Sequence, residues 1–239
     1  MKRIHKILQF FSPLIDIAIL FLIIPSSMVM KFYRKFGTKR LKLTTTFLNK
    51  VGVMPIINHY YEPYYEYDES KNREGRYLPE IQLNIDNQLE LLSELNYQDE
   101  FINFVESQKN TTSVDAFKIN DSSNGSFESG DAEFLYAYIR NLKPKKVIEI
   151  GCGQSTKIIS KALCMNKTIN NIVFEHVCIE PFEMPWLTNF KNIEVIRSRI
   201  EDLDFNWKKE IQDGDMLFID SSHIIKPYGD ILCEYLEII

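Results

Sequence analysis

The chain has 239 residues, of which 45% are apolar and 26% are charged, so it is long and apolar enough for one α/β domain with an additional N-terminal segment. Its net charge of −5 argues against a general nucleic-acid-binding protein. The four cysteines lack C-x-x-C spacing, which favours small buried side chains in a reducing compartment over disulfides or a zinc site: Cys152, Cys164, Cys178 and Cys233.

The N-terminal segment, residues 1–42, is predicted to associate with a membrane. The run Leu8–Met30 contains Asp16 as its only ionised residue, and at about 1.5 Å per residue it is long enough for a helix to cross a hydrocarbon core of about 30 Å. Pro13 and Pro25 interrupt the run, so the segment could span the membrane once or enter and return on the same side. A cleaved signal peptide and a buried core helix are the remaining alternatives.

A basic cluster follows this apolar run. The positive-inside rule then predicts that the body of the protein lies on the cytoplasmic side, and the same cluster would attract anionic lipid head groups. The cluster consists of Lys31, Arg34, Lys35, Lys39, Arg40 and Lys42.

Residues 43–123 are predicted to form a helical, aromatic-rich extension. Its tyrosines, which lie beside His59, are expected either to cover the following domain or to contact a sugar or a membrane interface. Residues 68–76 are a predicted linker, and the apolar spacing between residues 79 and 108 predicts two short helices. The tyrosines are Tyr60, Tyr61, Tyr64, Tyr65 and Tyr67.

The stretch Lys146–Thr156, K-V-I-E-I-G-C-G-Q-S-T, predicts a buried parallel strand, a glycine turn and the start of a helix. Gly151 and Gly153 allow the backbone to approach a ligand closely, and the helix start offers free N–H donors. Ser155 takes the place of the third glycine of pyrophosphate-binding turns. An acid before the turn, Glu149, would repel a phosphate and suits a ligand with an ammonium group and hydroxyls, such as S-adenosylmethionine (SAM).

The sequence E-I-G-C-G at residues 149–153 resembles the first motif of class I SAM-dependent methyltransferases. The resemblance implies a Rossmann-like, doubly wound, mostly parallel sheet in residues 124–239, with SAM held at the turn by Glu149, Gly151, Gly153 and Ser155. It also implies that the helix before the first strand closes over the cofactor. Phe127 and Asp131 are therefore expected to line the site, although helix capping alone would explain Asp131.

The second and third predicted strands supply further cofactor candidates. Glu180 follows the apolar run 172–179, and an acid at the carboxyl end of this strand can accept hydrogen bonds from both ribose hydroxyls. Asp202 lies after the third strand, 193–196, where the resemblance implies contact with the adenine amine. Surface positions are the alternative interpretation of both acids.

The fourth predicted strand, 215–220, ends at Asp220 and is followed by S-S-H-I-I-K. This pattern resembles an O-methyltransferase-like subgroup with I-D-x-S-H after strand four. Asp220, His223 and Lys226 are the predicted catalytic residues, because a hydroxyl acceptor needs a base or a metal ion to lower its pKa. Asp220 is also a candidate ligand for Mg²⁺ or another divalent cation.

The resemblance covers residues 124–239, where about four strands are recognisable against the family's seven, so we expect a C-terminally truncated methyltransferase domain. The predicted function is methyl transfer from SAM to a hydroxyl of a small-molecule, sugar or lipid-linked acceptor on the cytoplasmic side of the membrane. The alternatives are a non-catalytic, membrane-anchored SAM- or nucleotide-binding module and an NAD-dependent Rossmann enzyme. Glu149 and Ser155 speak against the latter.

Overall fold

The computed structural model of the chain describes residues 2–57, 81–111, 113, 116–118, 127–182, 184–204 and 206–238. The chain divides into two compact units, Met1–Ile81 and Gln82–Ile239. This division differs from the predicted boundaries after residues 42 and 123. The helices between residues 82 and 142 belong to the second unit together with the sheet. The predicted tyrosine cluster and the linker at 68–76 lie outside the described residues.

The first unit contains helix α1 (Lys2–Phe36) and helix α2 (Lys42–Val51). Helix α1 continues through Pro13 and Pro25, and its stretch Phe11–Phe36 is long and apolar enough to cross a membrane. The hydroxyls of Ser26 and Ser27 donate to helix carbonyls, which satisfies these polar groups within the helix. The prolines therefore do not divide α1, which is one continuous helix.

Helices α3 (Ile85–Glu94) and α4 (Gln98–Gln108) confirm the two predicted short helices. Helix α5 (Ser129–Leu142) packs on α4 and begins after Glu128 at the cap position, so neither Ser129 nor Asp131 is the capping residue. Asp131 lies in the first turn, where an acid is favourable beside the positive end of the helix dipole.

A partly buried ion pair joins α4 to α5. The guanidinium of Arg140 donates to Glu100 through Nε at 2.5 Å and through a second nitrogen at 3.1 Å, and the hydroxyl of Tyr136 donates to Glu100 at 2.6 Å. Arg140 also donates to Asn166 and stacks on the ring of Tyr97 at 5.0 Å. All these groups therefore have partners, as buried polar groups require.

Four parallel strands form a sheet in the order β3-β2-β1-β4. The strands are β1 (Lys146–Ile150), β2 (Glu175–Ile179), β3 (Glu194–Ile196) and β4 (Met216–Ile219). Helix α6 (Gln154–Asn170) connects β1 to β2, and the short helices α7 (Trp207–Glu210) and α8 (Asp230–Cys233) flank β4. The four predicted strands are thus confirmed, each within three residues of its expected start, in the order typical of half a Rossmann-like sheet.

Both faces of β1 are covered, as its β-branched sequence predicts. Val147 lies in an apolar cluster with residues of α4, α5 and α6, and Ile148 and Ile150 lie in a second cluster that includes Ile200 and Cys233. The central strand is therefore held from two sides, and its end provides a fixed base for the turn that follows.

The ion pair between α4 and α5 leads to a prediction about stability. Although partial burial alone would raise it, the hydrogen bonds from Arg140 and Tyr136 hold the pKa of Glu100 below its ordinary value of 4.5. The stabilisation by the ionised carboxylate is therefore complete above about pH 4.5 and is lost as the pH falls through the lower folded-state pKa. We expect Glu100→Gln to lower the free energy of unfolding of the full chain in detergent by about 2–4 kcal/mol at pH 7.

The measurement is urea unfolding followed by circular dichroism at pH 7 and at several acidic pH values. The difference between the two proteins should shrink as the pH falls. Asp99→Asn, on the same turn of α4, is the matched control and should change stability by less than about 0.5 kcal/mol. Equal losses for both variants would contradict the structural role of the ion pair.

Candidate cofactor site

The residues that follow β1, β2 and β4 lie side by side at one edge of the sheet. Ile150 pairs with Ile179 and Ile219, and hydrogen bonding continues one residue further: the Gly151 amide donates to Ile179, and the Asp220 amide donates to Ile150. This edge is formed by the carboxyl ends of parallel strands, where open α/β sheets bind their ligands.

Gly151 is required by the close approach of the neighbouring strand. Its φ of +81° lies in the left-handed region, and a Cβ added to it would lie 2.7 Å from the carbonyl carbon of Asp220. Gly153 differs, because its backbone is extended and a Cβ there would meet no described atom within 4 Å. Gly151 is therefore needed for the conformation of the turn, whereas Gly153 leaves open space beside the backbone.

Glu180 anchors the turn from the end of β2. One carboxylate oxygen accepts from the Cys152 amide at 3.0 Å, and the other accepts from the Phe182 amide at 2.8 Å. The residue is 8% exposed and borders the cleft. Each carboxylate oxygen can accept a second hydrogen bond, so Glu180 keeps acceptor capacity for a ligand while it fixes two loops.

A cleft of about 260 Å³ opens at this edge of the sheet. Its apolar walls include Ile150, Ile179, Ile200, Pro181 and Phe182, and its polar lining carries four carboxylates and two cationic side chains. This balance favours a ligand with positive charge or hydroxyl groups over one with a pyrophosphate. The charged residues are Glu180, Glu201, Asp220, Asp230, Arg199 and Lys226.

The loop after β4 carries the predicted catalytic residues. A ring nitrogen of His223, Nε2, lies 2.9 Å from a carboxylate oxygen of Asp220, and both side chains are exposed. His223 and Tyr228 both have positive φ, which is unusual outside glycine and often marks functional loops. The structure thus brings Asp220 and His223 into direct contact. Asp220 and Lys226 line the cleft, whereas His223 contacts Asp220 from outside the lining.

Asp230 stabilises the conformation of this loop through hydrogen bonds. Its carboxylate accepts hydrogen bonds from the backbone and the hydroxyl of Ser222, each at 2.8 Å. Although partial burial opposes ionisation, these bonds and the nearby Lys226 lower the pKa of Asp230. An ionised Asp230 therefore fixes the loop in which His223 lies.

Glu149 and Ser155 lie below the turn and not in the cleft. Glu149 is fully buried and accepts from Ser155 at 2.7 Å and from Thr156 at 3.0 Å, and it also contacts His176 at 3.0 Å. The expected direct contact of Glu149 and Ser155 with a cofactor is therefore corrected. They tie β1 to the first turn of α6, because a buried carboxylate must find hydrogen-bond donors within the protein.

The third strand places its two acids differently from the prediction. Asp202 is exposed and pairs with Arg199 at 2.7 Å, outside the cleft lining. Its neighbour Glu201 is mostly buried and lines the cleft. Because Ile200–Asp202 forms a 3₁₀ turn that buries Ile200, it points successive side chains in different directions.

The two residues predicted before the first strand are also outside the cleft lining. Phe127 is partly buried and packs against the apolar cluster formed by α4, α5 and α6, and Asp131 is exposed in the first turn of α5. In the described part of the chain, Phe127 therefore packs against the core and Asp131 lies at the surface.

Metal-ligand geometry does not occur at Asp220 among the described residues. Its partner is His223, and the one group of three donors that could hold an ion is Glu149, Cys152 and Cys178. A metal-binding role of Asp220 therefore stays a prediction.

Three residues that stabilise the loops of the site were not identified as functional from the sequence. Ser222 and Asp230 close the β4 loop, and Arg197 donates to the carbonyls of Phe182 and Met184 and so fixes the loop after β2. The contacts of Ser222 and Asp230 depend on the conformation of the loop after β4, and those of Arg197 depend on the adjacency of β2 and β3, which sequence spacing does not show.

No protein-family model matches the chain. An uncharacterized protein of Archaeoglobus fulgidus is 26% identical over 177 residues, which cover 69% of this chain and 77% of that protein.

Two similar solved structures are both bound to S-adenosylhomocysteine (SAH). A methyltransferase of Podospora anserina is 19% identical, with 62% of this chain and 61% of that one covered and a TM-score of 0.32. A Plasmodium falciparum protein named as a protein-L-isoaspartate O-methyltransferase is 16% identical, with 56% and 75% covered and a TM-score of 0.32. The chain thus spans less than two thirds of the first structure's length, and its function is inferred from its own site.

The two glycines of the turn give a matched pair of substitutions. We expect Gly151→Ala to destabilise the protein by about 2–5 kcal/mol, because alanine is strained at this φ and its methyl group would clash with Asp220. Gly153→Ala should change stability by less than about 1 kcal/mol. Thermal unfolding of the full chain in detergent tests both expectations. Similar melting temperatures for the two variants would contradict the close approach of the Gly151 backbone to Asp220.

Proposed function

We propose that this protein is a SAM-dependent methyltransferase that transfers the methyl group to a hydroxyl oxygen. The observation that carries the proposal is the cleft at the carboxyl ends of β1, β2 and β4. There a glycine turn, a buried acid after β2 and an excess of carboxylates over cations come together. A ligand with a sulfonium, an ammonium group and two ribose hydroxyls matches this lining, whereas the pyrophosphate of NAD does not.

The residues of the turn fit such a cofactor. Gly153 leaves open space beside the backbone, and Glu180 has free acceptor capacity for the ribose hydroxyls. Pro181 and Phe182 offer apolar surface for the adenine, and Glu201 takes the place that Asp202 was expected to hold near its amine. Bound SAM would supply a methyl group already activated by the sulfonium.

Asp220 and His223 are proposed to accept the proton of the acceptor hydroxyl. The contact between Asp220 and Nε2 of His223 favours the tautomer with the proton on Nε2, which leaves Nδ1 as the base. Lys226 borders the same cleft and would balance the charge of the neighbouring carboxylates. Holding both reactants in one cleft contributes rate through orientation.

The acceptor is proposed to be a sugar, a lipid-linked compound or another small molecule at the cytoplasmic face of a membrane. The support is helix α1, which is long and apolar enough to cross a bilayer, and the basic cluster at its C-terminal end. A membrane-anchored enzyme meets lipid-linked hydroxyls at high local concentration.

Calorimetric titration of SAM into the full chain in detergent tests the cofactor. We expect micromolar binding, weakened about 10- to 100-fold in Glu180→Gln because one charged acceptor is lost. Gly153→Ala should also weaken binding, since its methyl group would occupy the open space beside the turn. Asp202→Asn is the matched control and should bind as the wild type does.

The same titration with NAD separates the cofactor classes. NAD binding without SAM binding by folded protein would overturn the proposal in favour of an NAD-dependent enzyme. SAM binding without transfer under any condition would favour the non-catalytic binding module.

Transfer is measured with tritium-labelled methyl SAM and membrane extracts, with the label counted separately in the lipid and aqueous phases. We expect label in the lipid phase and a decrease of about 10²- to 10⁴-fold in His223→Gln, with SAM affinity unchanged. Loss of SAM binding in this variant would contradict the assignment of His223 to the acceptor side.

A further inference from the structure

A group of buried donor atoms lies beneath the glycine turn and has no part in the proposed transfer. The ligand atoms of Glu149, Cys152 and Cys178 lie within 4.8 Å of one another, and His176 adjoins them. We refer to these four residues as the donor cluster. Each is at most 6% exposed, and of the four only Cys152 also borders the cleft.

Two of the three distances among Glu149, His176 and Cys178 match the edges of a tetrahedral site, and the third is shorter. Glu149 Oε2 lies 3.6 Å from Cys178 Sγ and 3.0 Å from His176 Nε2, and these last two atoms are 3.5 Å apart. Zinc bonds of about 2.0–2.3 Å in tetrahedral geometry separate neighbouring donors by about 3.3–3.8 Å. The donors are therefore already close to the spacing that a small divalent cation requires.

The charge of the cluster also points to a cation. Glu149 is fully buried, and its partners are two neutral hydroxyls, a thiol and His176. The other ring nitrogen of His176, Nδ1, is buried and has no hydrogen-bond partner among the described residues. Burying a carboxylate is costly unless a positive charge compensates it, and a dication would supply that charge.

We propose that the donor cluster is a zinc site. Cys152 and Cys178 would bind as thiolates, with Glu149 and His176 completing the four ligands once His176, which is not one of the three residues whose ligand atoms lie within 4.8 Å of one another, moves towards Cys152. Thiolate and imidazole donors select zinc over magnesium or calcium. The two thiols lose their protons to solvent on binding, so the affinity should rise with pH.

The proposed ion would be structural. It would join β1, β2 and the turn, because Glu149 lies on β1, Cys178 on β2 and Cys152 between the two glycines. No coordination position needs to remain open for a substrate, in contrast to catalytic zinc sites.

The first measurement needs no variant. The full chain is purified in detergent without chelators, its zinc content is determined by mass spectrometry, and the metal is exchanged for Co²⁺. We expect about one zinc per chain and, with Co²⁺, a near-ultraviolet thiolate charge-transfer band with intense visible bands of tetrahedral cobalt. Less than about 0.1 equivalent of bound metal in the presence of excess zinc at pH 8 would overturn the proposal.

The variants locate the site. Cys152→Ser and Cys178→Ser should lose the charge-transfer band, whereas Cys164→Ser and Cys233→Ser, which change cysteines outside the cluster, should retain it. Binding of metal by Cys178→Ser as tight as in the wild type would mean an adventitious ion only and would overturn the proposal.

A third variant keeps both thiols in case the serine variants do not fold. His176→Gln should weaken zinc binding about 10- to 100-fold, as judged by competition with a chromophoric chelator. Unchanged zinc affinity in a folded His176→Gln protein would remove His176 from the site and overturn the four-ligand assignment. SAM titration of the same samples separates this result from that of the proposed methyltransferase function.

Discussion

The contact between the backbone of Gly151 and the end of β4 determines the geometry of the site. With a positive φ and no Cβ, Gly151 allows β1 to turn directly beneath the carbonyl of Asp220. The Cys152 amide then reaches Glu180 at the end of β2. One glycine thus brings together the residues that follow three strands, and the cleft exists because these three strand ends meet without a side chain between them.

The polar residues of this region lie in two layers, one buried beneath the turn and one at the cleft. The lower layer is the buried donor cluster, whose carboxylate accepts hydrogen bonds from the start of α6. The hydrogen bond with Cys152, together with burial and the nearby Glu149, raises the pKa of the Cys178 thiol. The upper layer is the exposed lining, in which Asp220 contacts His223 and Asp230 fixes Ser222. The two layers share Cys152, whose amide faces Glu180 and whose sulfur faces the cluster.

Strand positions were predictable because the apolar runs are short, β-branched and bounded by glycine or acid. Glu180 and Gly151 were placed correctly at the sheet edge, since parallel strands end together. The direction of individual side chains was not predictable. Glu149 faces α6 because strand residues alternate between faces, and Glu201, not Asp202, lines the cleft because a 3₁₀ turn points successive side chains in different directions. Sequence spacing likewise gave no sign that Cys152 and Cys178 meet, because strand adjacency and not local spacing brings them together.

The order of the strands has a consequence for hydrogen exchange. Strand β1 pairs on both sides and is covered on both faces, so its amides should exchange only when the whole domain opens. Strand β4 pairs with β1 alone among the described strands, and its side chains are only partly buried. The proposed acceptor side of the site, which follows β4, can therefore open locally while the turn after β1 stays folded. Cofactor and acceptor would then encounter parts of one cleft that differ in rigidity.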